Sequence, residues 1–204
     1  MDRNSRSVSD YRVIRNVTVV GSVVDGLLAL GKLTGGIVAQ SQALIADGIH
    51  SVSDLATDFL VILAARHSSQ EADSEHPYGH GRIQAIATAL LAVSLAAISL
   101  GIAWDALSRL SGSGELMAPG WLAVAVAAVS VVAKEAVYQY TIRIGRKLDS
   151  GLLQANAWHS RTDAFSSLIV IAGVLGVMLG FPWADAIGAV GVAIIILYAA
   201  FRIG

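Results

Sequence analysis

Of the 204 residues, 55% are hydrophobic and only 14% are charged, whereas a soluble domain carries about 25% charged residues. A net charge of −1 offers no electrostatic basis for a nucleic-acid partner. The absence of cysteine excludes disulfides and thiolate metal sites.

Met1 to Asp10 is polar and has neither the apolar core nor the small-residue cleavage site of a signal peptide. Residues 1–12 are therefore expected to form a cytoplasmic N-terminal segment, with the apolar block that follows retained. A bilayer span takes roughly 20 mainly apolar residues. Six blocks qualify: Val13–Val38, Ser41–Ala65, Ile83–Leu110, Pro119–Ile142, Leu152–Leu179 and Trp183–Phe201. The expected fold is all-α, a polytopic membrane protein with six transmembrane helices across residues 13–204. The connection at 66–82 is long and polar, Ser111 to Ala118 is a Gly/Ser turn, Gly145 to Gly151 a short basic loop, and Gly180-Phe181-Pro182 a tight turn. The strand-length alternation of a membrane barrel and the period of a solenoid are both absent. Gly31/Gly35, Gly173/Gly176 and Gly188/Gly191 have the spacing that suits close helix packing.

Lysine and arginine set the orientation. Arg3, Arg6, Arg12, Arg15, Arg66, Arg82, Arg143, Arg146, Lys147 and Arg202 fall on one side of the six blocks, with Arg109 near the edge of the other. Lys32 counts against the bias. Both termini are thus expected in the cytoplasm, with Trp121 and Trp183 at the outer interface.

The second block carries Asp47, His50, Asp54 and Asp58, spaced 3, 4 and 4 apart, so a helix places them on one face. Ionisable groups in a membrane helix face a bundle interior or a wet cavity and mark an ion or proton route. The fifth block repeats the His-x-x-x-Asp spacing with His159 and Asp163. Two such pairs on facing helices bring together two imidazoles and two carboxylates, a donor set that suits tetrahedral zinc. A buried His–Asp network without metal is the bland alternative, and burying four such groups for packing alone is costly.

The polar connection offers a second cluster, Asp73, His76 and His80, which can supply two nitrogens and an oxygen to one ion. A solvated acidic loop is the alternative. Four of the five histidines fall in these two clusters, and His67 lies at a helix end.

The sequence resembles the cation diffusion facilitator family of divalent-metal transporters along essentially its whole length. The resemblance is carried by Ala46-Asp47-Gly48-Ile49-His50-Ser51-Val52-Ser53-Asp54, by His76-Pro77-Tyr78-Gly79-His80-Gly81-Arg82 and by His159-Ser160-Arg161-Thr162-Asp163. It implies that His50, Asp54, His159 and Asp163 form the transport site, and that Asp73, His76 and His80 match a cytoplasmic-loop site of bacterial members. It further implies a homodimer in a bacterial inner membrane that exchanges a metal ion for protons. His50, where many bacterial members have Asp, resembles zinc-preferring animal members. Family members usually continue into a cytoplasmic ferredoxin-like domain that has no counterpart before Gly204; a natural short form and a truncation both account for that.

The expected function is export of Zn²⁺ in exchange for protons, with His50 and His159 protonated to expel the ion. Cd²⁺, Co²⁺, Ni²⁺ and Fe²⁺ share the donor preferences. Asp47 and Asp58 flank the ligands as proton stops, outer acceptors or packing groups, and Asn156 is an outer-group candidate. Asp25 is a candidate for lining the ion path. Lys134 is expected to pair with an Asp of another helix, Arg161 to point away from the ion, and Asp105 and Asp185 to be solvated near helix ends. No enzyme is expected: an intramembrane metalloprotease needs His-Glu-x-x-His, which is absent. A channel would be slowed by a tight tetrahedral site. The alternative function is a non-transporting metal-binding scaffold or partner subunit of the same fold.

Overall fold

The computed structural model describes the backbone of residues 3–68, 81–112, 116 and 118–203, and side chains from Val13 to Ala56 and from Ala89 onward apart from positions 91, 113–115, 117, 152, 155 and 202–204. Six helices follow in order: α1 Arg3–Val38, α2 Gln42–Ser68, α3 Gly81–Leu110, α4 Trp121–Lys147, α5 Gly151–Met178 and α6 Ala184–Ile203. The six apolar blocks map onto them one to one. Two helices run five or more residues beyond their blocks. α1 starts at Arg3 and α4 continues to Lys147, because an apolar block measures the bilayer and a helix continues into water while its backbone bonds hold. The cations Arg146 and Lys147 in the last turn of α4 also complement its dipole.

Five helical segments are long and apolar enough to cross a membrane: 13–38, 92–110, 121–147, 156–178 and 184–201. Over its described residues α2 is not among them, and it is the helix that carries Asp47, His50 and Asp54. It packs against α1, α3, α5 and α6, so its polar stripe is turned inward. The outward surface is apolar instead: Val23, Leu27, Leu30, Trp104, Val132, Leu179 and Phe201 are all exposed. A bilayer accepts that surface and not unpaired backbone or charge. The chain is thus a polytopic α-helical membrane protein.

Close approaches give the helix directions. Gly36 meets Ile45, Gly48 meets Leu33 and Gly26 meets Leu55. Numbers fall along α1 as they rise along α2, so the two are antiparallel, joined by the turn at Ala39–Ser41, where Ser41 N–H donates to Gly36 C=O at 3.0 Å. Gln40 takes φ 54° there. α4 and α5 pair in the same way, with Gly145 against Leu153 and Gln154 at one end and Lys134 bonded to Asp163 further along. Gly173 and Gly176 let the start of α6 lie on α5. The α1–α2 turn, the start of α4 and the start of α6 therefore share one end of the bundle, the turn end. The basic end carries Arg143, Arg146 and Lys147.

Of the glycine pairs with packing spacing, Gly31 has open space around it and Gly191 only ordinary contact, whereas Gly35, Gly173, Gly176 and Gly188 sit at tight crossings. Spacing alone identifies a small stripe without showing which member meets a neighbour. Gly36 is the tightest backbone case: an added Cβ would stand 2.9 Å from the Ile45 nitrogen. Gly36→Val is expected to lower stability by about 1–3 kcal/mol, read as a drop in melting temperature in detergent, whereas Gly31→Val should be close to neutral.

Asp185 corrects one expectation. It is 1% exposed rather than solvated. Its carboxylate accepts from Ser41 Oγ at 2.7 Å and from the backbone N–H groups of Gln42 at 2.7 Å and Ala43 at 3.4 Å. Ser41 Oγ in turn accepts from Leu44 N–H at 3.1 Å. The first N–H groups of a helix lack intrahelical partners, and the first turn of α6 supplies them to α2. Asp105 is half exposed as expected, and binds Arg109 at 3.1 Å and the amide of Gln42.

Candidate metal centre

The middle of α2 meets the middle of α5. Ligand-type atoms of His50, Asp54 and Asp163 lie within 4.8 Å of one another. The cause is register: His50 and Asp54 are one turn apart on α2, and α5 presents Asp163 opposite them. His50 Nδ1 is 3.8 Å from Asp54 Oδ1. Two buried atoms of this group, His50 Nδ1 and Asp54 Oδ2, have no hydrogen-bond partner. Such orphans cost roughly 1–3 kcal/mol each, and a ligand filling the space between them would remove that cost.

His159 stands at the edge. Its Nδ1 is 3.8 Å from Asp163 Oδ1, but its side chain is 50% exposed and it does not join the close group of three. It precedes Asp163 on α5, on the side of the basic end. Asp73, His76 and His80 lie outside the described residues, as does the Asp58 side chain.

Two lysines flank this group. Lys134, on α4, is buried with its Nζ 2.7 Å from Asp25 and 2.9 Å from Asp163. The expectation of an ion pair with another helix is met, and Asp25 of α1 is drawn in with it. Lys32, on α1, is fully buried with its Nζ 2.9 Å from Asp47 and 3.0 Å from Ser51 Oγ. Asp47 also accepts from Ser166 Oγ and, at 2.7 Å, from Ser167 Oγ. Asp47 is thus held by partners from two other helices, α1 and α5, which together supply three donors to its carboxylate. The apparent exception of Lys32 to the distribution of cations disappears as well: a lysine neutralised inside the bundle carries no information about orientation.

Arg161 points away from the group, as expected. Its guanidinium lies 3.6 Å from Glu135, 4.6 Å from the Tyr138 ring centroid and 5.7 Å from that of Trp158. A cation so paired and stacked is held at the rim.

Exposure falls in one direction along the helix axes. From the basic end inward come His159, half exposed, then Asp54 at 16%, then Asp163 and His50 almost buried, and beyond them Lys32 and Asp47 at 0%. The Lys32–Asp47 pair and its serines form the fully buried side of the group, toward the turn end.

A polytopic helix bundle with an inward-turned cluster of imidazole and carboxylate is the architecture of membrane proteins that handle ions. The comparisons name the family. The model of the cation efflux transmembrane domain matches residues 18–204, and the chain belongs to that family. Its domain is one of transport and not of an enzyme. It is 36% identical over 199 residues to metal tolerance protein C1 of Arabidopsis thaliana, covering 91% of this chain and 42% of that protein. It is 36% identical over 187 residues to an uncharacterized transporter of Methanocaldococcus jannaschii, covering 92% and 65%. Magnetosome protein MamB of Magnetospirillum gryphiswaldense is 35% identical over 172 residues, covering 84% and 58%. The chain therefore spans about half the length of the curated relatives it matches.

Proposed function

We propose that this chain is the membrane part of a divalent-metal exporter that moves Zn²⁺ out of the cytoplasm in exchange for protons, through His50, Asp54, His159 and Asp163. The observation that carries this reading is the close group of His50, Asp54 and Asp163 with two orphaned polar atoms. Two imidazole nitrogens and two carboxylate oxygens suit tetrahedral zinc. Cd²⁺, Co²⁺, Ni²⁺ and Fe²⁺ accept the same donors, and geometry and availability choose among them.

With the basic end in the cytoplasm, the exposure gradient describes a site loaded from inside. Neutral histidines and ionised carboxylates bind the ion, and protons compete for the same lone pairs. Histidine, with a reference pKa near ~6.5, gains its proton in mildly acidic surroundings. Once the buried Lys32–Asp47 side opens and the basic end closes, protonation of His50 and His159 expels the ion outward, and the protonated site returns. Asp73, His76 and His80 form a second, cytoplasmic metal site that feeds the first or joins two subunits of a homodimer. A multi-pass setting in a bacterial inner membrane goes with this reading.

The test uses purified full chain in sealed vesicles with an internal pH indicator. Addition of Zn²⁺ is expected to drive proton movement opposite to the metal, and His159→Ala to abolish both. Zinc flux without proton flux would overturn the exchange mechanism. Stoichiometric zinc binding without any flux would favour the scaffold or partner-subunit reading.

A further inference from the structure

Lys134 is the feature that a simple ligand list leaves unexplained. An ammonium 2.9 Å from Asp163, itself one of the proposed ligands, competes with any metal for that carboxylate. Burying it costs desolvation that only close counter-charges offset.

Formal charge gives it a role. Among the described residues, Asp25 and Asp163 are paired with the Lys134 ammonium and Asp54 lies close to Asp163, so three carboxylates and one ammonium leave two negative charges when the histidines are neutral. The other ionised groups nearby form separate neutral pairs: Lys32 with Asp47, and Arg161 with Glu135. The surplus therefore matches one divalent cation. Without Lys134 the cluster would carry a third negative charge in a medium where uncompensated charge is expensive. Asp25 completes the arrangement. Its oxygen is 2.7 Å from Lys134 Nζ, so Lys134 keeps a partner when Asp163 turns to a metal.

We propose that Lys134 is a specificity-setting residue: it holds Asp163 while the site is empty, moves onto Asp25 when the ion takes Asp163, and fixes the site's charge at the value one divalent cation neutralises. This rests on the membrane site proposed above. Asp25 is then the resting place of a displaced lysine and not a metal ligand.

The experiment is calorimetric titration of Zn²⁺ into the full chain in detergent, with Asp73, His76 and His80 replaced by alanine so that only the membrane site counts. Lys134→Met removes the competitor and adds a negative charge, and is expected to tighten binding roughly tenfold or more. Asp25→Asn leaves Lys134 committed to Asp163 and removes a negative charge, and is expected to weaken binding roughly tenfold or more. The double variant restores the charge and is expected to return within about threefold of the parent, because opposite electrostatic effects cancel. If both single variants weaken binding and the double variant does not recover, Lys134 is a structural tie and the proposal is overturned. Should Lys134→Met not fold, Asp25→Asn decides alone: weaker binding upholds the proposal, unchanged or tighter binding defeats it. Asp54→Ala in the same background separates the two levels of inference. Undiminished zinc binding there would remove the membrane site itself, and the role of Lys134 with it.

Discussion

Asp54→Ala is expected to abolish metal transport by the reconstituted chain while leaving the bundle intact. The reason is the difference between the two carboxylates of the site. Asp54 Oδ2 is buried without a partner, and Asp54 stands 3.8 Å from His50. Its removal takes away a proposed ligand and relieves an orphan. Asp163 is a proposed ligand and also the partner of Lys134. Loss of an outer-sphere group alone lowers metal affinity by about 10–100-fold, and loss of a direct ligand should exceed that. Asp54→Ala should therefore bind Zn²⁺ at least about 100-fold more weakly with an unchanged melting temperature in detergent. Asp163→Ala should lose binding as well and lower stability more than Asp54→Ala does, because Lys134 then keeps only Asp25 as a partner. Retained Asp54→Ala transport, measured as vesicle uptake, would remove Asp54 from the ion path.

The second large effect lies two turns away on α2. Asp47→Ala is expected to destabilise the fold severely, by about 3–5 kcal/mol. It strands Lys32 at 0% exposure and leaves Ser166 and Ser167 without the carboxylate they bind. The check is thermal unfolding in detergent together with a charge-free double variant, Lys32→Met with Asp47→Leu. That pair should recover most of the lost stability, since replacing both partners of a buried pair by apolar groups is often neutral or better. If the double variant is as unstable as the single one, the serines and not the ion pair hold the three helices together.

The helices and the local spacing of the candidate ligands were legible from the chain. Apolar blocks as long as a bilayer become helices because no other backbone state satisfies its own hydrogen bonds there. His-x-x-x-Asp marks a shared face whatever surrounds it. What stayed hidden were the partners between helices. Asp47 lies on the same stripe as His50 and Asp54, and periodicity treats the three alike. Only the register of α1 against α2 shows that Lys32 reaches Asp47 and not its neighbours. Asp185 looked like a residue for water because it opens a helix beside a Gly-Phe-Pro turn. Its burial follows from the tight Gly173–Gly176 crossing, which lays that first turn against the start of α2. The paired lysines were half legible: an ammonium deep in an apolar helix demands a carboxylate, and composition cannot say which one.

The Lys32–Asp47 pair also bears on how the chain enters the membrane. As α1 leaves the ribosome, Lys32 arrives before any carboxylate able to meet it from the next helix, and a lone lysine inside an apolar segment is penalised on insertion, by up to roughly 2.5–3.5 kcal/mol at a helix centre. Asp47 follows only one short turn later. Insertion of α1 and α2 as one hairpin would deliver the counter-charge together with the lysine, whereas release of α1 alone into lipid would leave Lys32 bare. Ser166 and Ser167 come much later in synthesis, with α5, and lock a pair already formed. The ion pair thus makes the first two helices a single unit of biogenesis, and the fifth the step that commits them.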